Sequence, residues 1–97
     1  MRKSALLGVW LAAGAAAAQP ADADRGRQLY QSYCARCHGV NMVLVGGAAF
    51  DLRTLGPEEH DRFERSVTQG VRAMPAWGGI LKPADVEALW SYVMAKR

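Results

Sequence analysis

Tyr33-Cys34-Ala35-Arg36-Cys37-His38-Gly39 is the stretch from which the rest of this chain is read. Two cysteines three positions apart, followed at once by histidine, form the attachment pattern of a c-type haem. The spacing has a physical basis. Thiols three apart on one helical turn lie on the same side, so each can add to one vinyl group of the macrocycle. The adjacent histidine then lies under the iron and presents a ring nitrogen as the proximal ligand. A redox C-x-x-C of the thioredoxin kind wants a βαβ setting, and a zinc site wants a second ligand pair. Neither is found, since the sequence holds only these two cysteines. A disulfide across so short a loop would stabilise little. The expected cofactor is one covalent haem c on Cys34 and Cys37, with His38 on the iron.

The second iron ligand has four candidates: His60, Met42, Met74 and Met94. Met42 follows His38 too soon to reach the opposite face of a haem. Met94 sits in a strongly periodic helical segment, where methionine is more often core filling. Met74 lies in Gly70-Val71-Arg72-Ala73-Met74-Pro75-Ala76-Trp77-Gly78-Gly79, a loop by its glycines and proline. A loop strand folded over the macrocycle can deliver a soft thioether to iron, which suits a low-spin electron carrier. Met74 is the expected distal ligand. His60 belongs instead to a helical stretch. Pro57 sits at a first helical position, acids fill the first turn, and Gly70 is the stop. His60, Phe63 and Val67 share one face of that helix. The plain reading of His60 is a partly buried histidine at the core edge; the sharper one is a bis-histidine haem.

Two further helices are legible. Asp24 to about Ala35 carries Gly26, Leu29, Tyr30 and Tyr33 at helical spacing and runs directly into the haem motif. Pro83 to about Lys96 carries Val86, Leu89, Trp90 and Val93, a stripe that must pack on something. Between the haem motif and Leu55 the chain is apolar and glycine-bearing. Gly46-Gly47-Ala48-Ala49 reads as backbone running close along the haem. No strand alternation, repeat or linker occurs, so the fold class is all-α.

The 97-residue chain begins with Arg2-Lys3, a short apolar run from Ala5 to Ala13, and Ala16-Ala17-Ala18. A positive start, an apolar middle and a small-residue end describe a secretory signal peptide. The expected organisation is a cleaved signal over residues 1–18 and a single domain over 19–97. A retained anchor is the other reading, although the uncharged run is near the short limit for a membrane span. Removing 18 residues leaves 79, on which 10 basic and 9 acidic residues give a net charge of +1 in place of +3. No basic cluster remains to neutralise a run of phosphates, which excludes nucleic-acid binding. A domain this small has a thin core and calls for an extra staple; a covalent macrocycle is one.

From about Asp24 to its end the chain resembles class I c-type cytochromes. Gly26-Arg27-Gln28-Leu29-Tyr30 is similar to that family's N-terminal helix, in which a small residue and an aromatic four later cross the C-terminal helix. Leu89 and Tyr92 are the matching positions there. Gly26 has a physical reason: helices crossing at close range leave no room for a side chain. Met74-Pro75-Ala76-Trp77 matches the distal methionine loop, and Trp77 is a candidate cover for a haem edge, with core as its bland reading; Trp90 reads as core. One departure stands out. Many class I members have a proline after the motif whose carbonyl orients the proximal histidine, and here none occurs between His38 and Pro57. A carbonyl from about Leu44 to Phe50 is expected to hold the other nitrogen of His38.

A narrower resemblance covers Cys37 to Val43, Gly46-Gly47 and Phe50-Asp51-Leu52-Arg53. These look like small cytochromes paired with, or haem domains fused to, quinoprotein alcohol dehydrogenases that use pyrroloquinoline quinone. The resemblance implies a non-enzymatic, periplasmic carrier of single electrons. Its partners would be redox proteins in transient docking, a quinoprotein dehydrogenase as donor and a terminal oxidase or another cytochrome as acceptor. Arg36, Arg53 and Arg72 are candidates to neutralise haem propionates or partner acids; for Arg36 a solvated surface charge is an equal reading. Two propionates against +1 leave the loaded protein close to neutral, so strong electrostatic steering is not expected. Two alternatives stay open: a haem subunit of a larger oxidoreductase, and an open-haem peroxidase or gas sensor.

Overall fold

The computed structural model describes residues 18–96, so the expected signal segment lies, but for Ala18, outside the described residues. Four α-helices follow one another: α1 (Ala18–Tyr33), α2 (Ala35–His38), α3 (His60–Gln69) and α4 (Pro83–Lys96). Single 3-10 turns at Val40–Met42, Leu52–Thr54 and Pro57–Glu59 punctuate the loops between α2 and α3. No strand occurs among the described residues; Val71 and Met74 form one isolated bridge. The arrangement is the all-α one that the resemblance to class I cytochromes implies, with the N- and C-terminal helices, α1 and α4, crossing.

The crossing is dictated by Gly26. A methyl group there would overlap the Ala88 carbonyl and stand 2.8 Å from Cβ of Tyr92. One turn on, the rings of Tyr30 and Tyr92 meet at 5.2 Å between centroids. Tyr92 stands where the expected pairing puts it, and the Ala88 backbone is the nearest neighbour of Gly26. Ala88 and Tyr92, four apart, form the ridge facing α1, while Leu89 and Val93 turn to the interior cavity. Asp85 seals the open end. Its carboxylate accepts the Lys82 N–H at 2.9 Å, closing the first turn of α4, and pairs with Arg25 of α1. Those two partners hold the Asp85 carboxyl below the usual carboxylate range, the Lys82 N–H foremost.

Two helix starts differ from expectation. α1 already includes Ala18 to Ala23, because alanines are the best helix formers and Pro20 lies in a first turn that needs no N–H. The stretch opening at Pro57 makes a 3-10 turn before it relaxes into α3 at His60. Gly70 stops α3 at φ +79, and Pro83–Lys96 follows the bounds read from the sequence. The core joins Tyr30, Phe63, Val67, Val86, Leu89 and Val93, with Met42 and Leu55 contributed by the loop between α2 and α3.

Candidate haem site

A partly open cavity lies between α1, α3, α4 and the two long loops. Leu52, Leu55, Phe63, Val67, Leu89 and Val93 make it apolar, and Cys34, His38 and Met74 all line it. Its apolar lining, with a few convergent polar and sulfur groups, is that of a cofactor pocket. Cys34 sits at the break between α1 and α2, with φ −119 and ψ −32, and its carbonyl accepts N–H groups from Cys37 and His38 at 3.2 and 3.0 Å. The motif is thus one near-helical turn. Burial, and secondarily the neighbouring Cys37, pushes the Cys34 thiol up to about 12. Cys37 is exposed and stands outside the lining, and no disulfide joins the pair.

His38 is aimed from behind. Its Nδ1 donates to the Phe50 carbonyl at 2.9 Å, which assigns the proton to Nδ1 and leaves the lone pair on Nε2. Phe50 lies at the end of the range in which such a carbonyl was expected. The loop reaches it through a turn at Gly39 (φ +94), where a side chain would overlap the Val43 carbonyl. The Tyr30 hydroxyl donates to the Gly39 carbonyl at 2.5 Å, tying the turn to α1. Burial, then Cys34, raises the Tyr30 phenol to about 12, so it remains a donor. Met42 is fully buried and pins the loop to the core, which accounts for it without iron.

Met74 is held by a tight turn. Val71 and Met74 exchange backbone hydrogen bonds of 3.2 and 2.9 Å around Arg72, whose φ is +52. The loop is then stitched to the last turn of α3: the Trp77 N–H donates to Val67 at 2.8 Å and the Gly78 N–H to Thr68 at 3.1 Å. The Trp77 ring packs edge-on against Tyr33 at 5.1 Å between centroids. Trp77 therefore anchors the loop and does not line the cavity.

Residues 21–93 match the family model described as cytochrome C oxidase, cbb3-type, subunit III. The chain belongs to the cytochrome c family. It is 35% identical over 75 residues to cytochrome c6 of Microcystis aeruginosa, covering 73% of this chain and 93% of that protein. It is also 35% identical over 82 residues to quinohemoprotein alcohol dehydrogenase ADH IIB of Pseudomonas putida, covering 81% of this chain. The chain spans only 12% of that dehydrogenase's length. The structure of quinohemoprotein alcohol dehydrogenase ADHIIG from Pseudomonas putida HK5 superposes with a TM-score of 0.71 at 28% identity, over 97% of this chain and 14% of that one. The family consists of electron carriers, and this cytochrome carries one covalently bound haem c.

The cavity of this cytochrome fits that group, with a buried sulfur, an oriented imidazole and a thioether converging on an apolar space. His60 lies elsewhere. Its Nε2 is 2.7 Å from a Glu87 carboxylate oxygen on α4 and its ring packs edge-on against Trp90. Glu87 raises its pKa, despite some opposing desolvation. It is the partly buried histidine of the plain reading. Met94 packs against the core, as expected. Gly46 and Gly47 do not line the cavity; their φ values of +75 and +80 are what require glycine. Of the three arginines singled out, only Arg72 lines the cavity, Arg53 is engaged by Asp51, and Arg36 is exposed. Arg62, a lining residue that sequence reasoning passed over, stacks over the Phe50 ring at 4.7 Å.

Proposed function

We propose that this cytochrome carries single electrons in the periplasm, its haem attached through Cys34 and Cys37 and its iron held between His38 and Met74. The observation that carries this reading is the convergence of Cys34, Met74 and an imidazole with its Nδ1 already bonded on one apolar cavity. Haem iron supplies the ferric–ferrous couple. The chain's residues hold still around it: the Phe50 carbonyl fixes the His38 ring, the turn at Arg72 fixes Met74, and apolar walls exclude water. Fixed ligands lower the reorganisation that each electron transfer requires.

The expected organisation, a cleaved signal over residues 1–18 and one domain over 19–97, forms part of this proposal. No helix among the described residues is long and apolar enough to cross a membrane. The likeness to two quinohemoprotein alcohol dehydrogenases of Pseudomonas putida supports a quinoprotein dehydrogenase as electron donor. The likeness to cytochrome c6, which the chain nearly spans, supports a free-standing carrier. A second reading, a haem subunit held in a larger oxidoreductase, is favoured by the cbb3 subunit match. Mass measurement of the native protein under gentle extraction separates the two.

The ligand assignment has a direct test. Haem should stay with the polypeptide through denaturing electrophoresis. Met74→Ala should abolish the weak far-red band of methionine-ligated ferric haem and lower the reduction potential, because methionine favours the ferrous state. Met42→Leu, Met94→Leu and His60→Ala should each leave the band in place. Reduction of the purified protein by a quinoprotein dehydrogenase plus alcohol, without added dye, tests the partner; reduction by a quinol oxidoreductase alone would overturn that part.

A further inference from the structure

We propose that Arg62 is a positioning residue for the proximal histidine, acting through the aromatic ring of Phe50. The proposal rests on the reading of His38 as an iron ligand. The atom that orients His38 is the Phe50 carbonyl, 2.9 Å from Nδ1. That carbonyl belongs to a stretch with little else to hold it. Among the described residues, 44–50 take part in no backbone–backbone hydrogen bond, and Phe50 is 42% exposed. The peptide that follows Phe50 is fastened at its far end, where Asp51 caps the turn Leu52–Thr54 and receives two side-chain hydrogen bonds from Arg53 at 3.0 Å. At its near end stands Arg62.

The guanidinium carbon of Arg62 lies 4.7 Å from the centroid of the Phe50 ring. Its Nη1 donates to Glu59 at 2.8 Å, so the plane of the guanidinium is held by the start of α3 and not by the loop it covers. The peptide carrying the orienting carbonyl is thereby clamped at both ends, by Asp51 with Arg53 and by Arg62 with Glu59. A planar cation over a ring is a contact that lysine does not reproduce in geometry. The consequence for His38 follows from ligand chemistry. A well-made bond from Nδ1–H to a carbonyl fixes ring rotation and makes Nε2 the more basic donor, which favours the ferric state. Loosening the clamp should raise the potential. Simple removal of positive charge near the iron has the opposite sign, so clamp and charge are separable.

The test uses the haem-loaded protein, four single variants and the double variant Phe50→Leu/Arg62→Lys. Phe50→Leu removes the ring and keeps the carbonyl and the charge of Arg62. Arg62→Lys keeps charge and loses the planar stack. Glu59→Gln weakens the anchor of Arg62 from outside the cavity and serves if either of the others loses haem. The readouts are solvent exchange of the His38 Nδ1–H by NMR in the ferrous state, and the reduction potential. Phe50→Leu and Arg62→Lys should each speed exchange on the order of threefold and raise the potential. The double variant should change no more than the larger single one, as expected for two parts of one clamp. Unchanged exchange in both single variants, or additive effects in the double, overturns the proposal. Arg62→Gln removes the charge as well as the stack; a potential that moves only there, and downward, also overturns the proposal, since Arg62 would then act by charge alone. Should the wild-type His38 ring lack the shifts of an iron ligand, the axial reading fails too. An intact ligand signal with unmoved exchange defeats only the role of Arg62.

Discussion

Where α1 crosses α4 the backbone of one helix touches the other directly; along the loop from Val43 to Phe50 the chain is held by almost nothing of its own. At the crossing, Gly26 admits no added atom and Tyr30, Val86 and Tyr92 are essentially inaccessible to solvent. In the loop, Val43 is 50% and Val45 90% exposed, yet this segment presents the carbonyl that aims His38. Stability is concentrated in the crossing and chemistry in the loops. The division is that of many sites, where a rigid frame carries irregular segments that do the work. Here the frame is only two helices wide.

The contrast is open to attack from both sides. The largest effect is expected at Gly26. Gly26→Ala forces a methyl against the Ala88 carbonyl and should cost about 3 kcal/mol, read as a lowered thermal midpoint for helix content and haem absorption together. Gly70→Ala acts on the loop side. Alanine at φ +79, ψ 162 costs about 1–3 kcal/mol and presses on the Met74 carbonyl, 2.8 Å away. The far-red band should then melt at a lower temperature than the helices, whereas coincident melting would erase the distinction between frame and loop.

A smaller effect sits at Asp85. With its carboxyl held below the usual range, its contribution is fully present above about pH 4, the ordinary aspartate value, and is lost as pH falls through the lowered folded-state value. Asp85→Asn should therefore lower stability at pH 7 and flatten its fall in acid, measured by denaturant midpoints across pH. The smallest change expected is a gain. The Tyr92 hydroxyl is buried with no hydrogen-bond partner among the described residues, so Tyr92→Phe should keep the ring against Tyr30 and raise stability by up to about 1 kcal/mol. A loss there would mean that the hydroxyl has a partner after all.

Legibility divides along the same line. The frame could be read from the sequence because helical periodicity and caps are local: Pro83 opens α4, Gly70 closes α3, and Gly26 marks a close crossing. The contact of Gly26 with the Ala88 backbone escaped because periodicity gives a face but not which backbone atoms that face meets. The chemical pattern was local too. Cys34, His38 and Met74 were named from residue type and spacing, and the structure brings them to one cavity. What supports them was not local. The need for a carbonyl behind His38 followed from a missing proline, but its identity depended on how twelve residues of loop come back on themselves. Gly46-Gly47 misled because glycine marks either close approach or a left-handed φ, and only the backbone angles decide. Arg62 gave no signal of its own, since a cation on an exposed helix face is ordinary until the ring beneath it is seen.

The partners that close the crossing, Arg25 and Asp85, stand 60 residues apart, with both cysteines between them. A chain synthesised from its N-terminus has therefore displayed Cys34 and Cys37 well before the helix that closes the crossing exists. Cys34 becomes a sluggish nucleophile, pushed up to about 12, only once its burial is complete. Until then it is an ordinary thiol. If Cys34 and Cys37 carry the haem as proposed, the order of synthesis favours fastening it while the clasp is open, before the last helix shuts it.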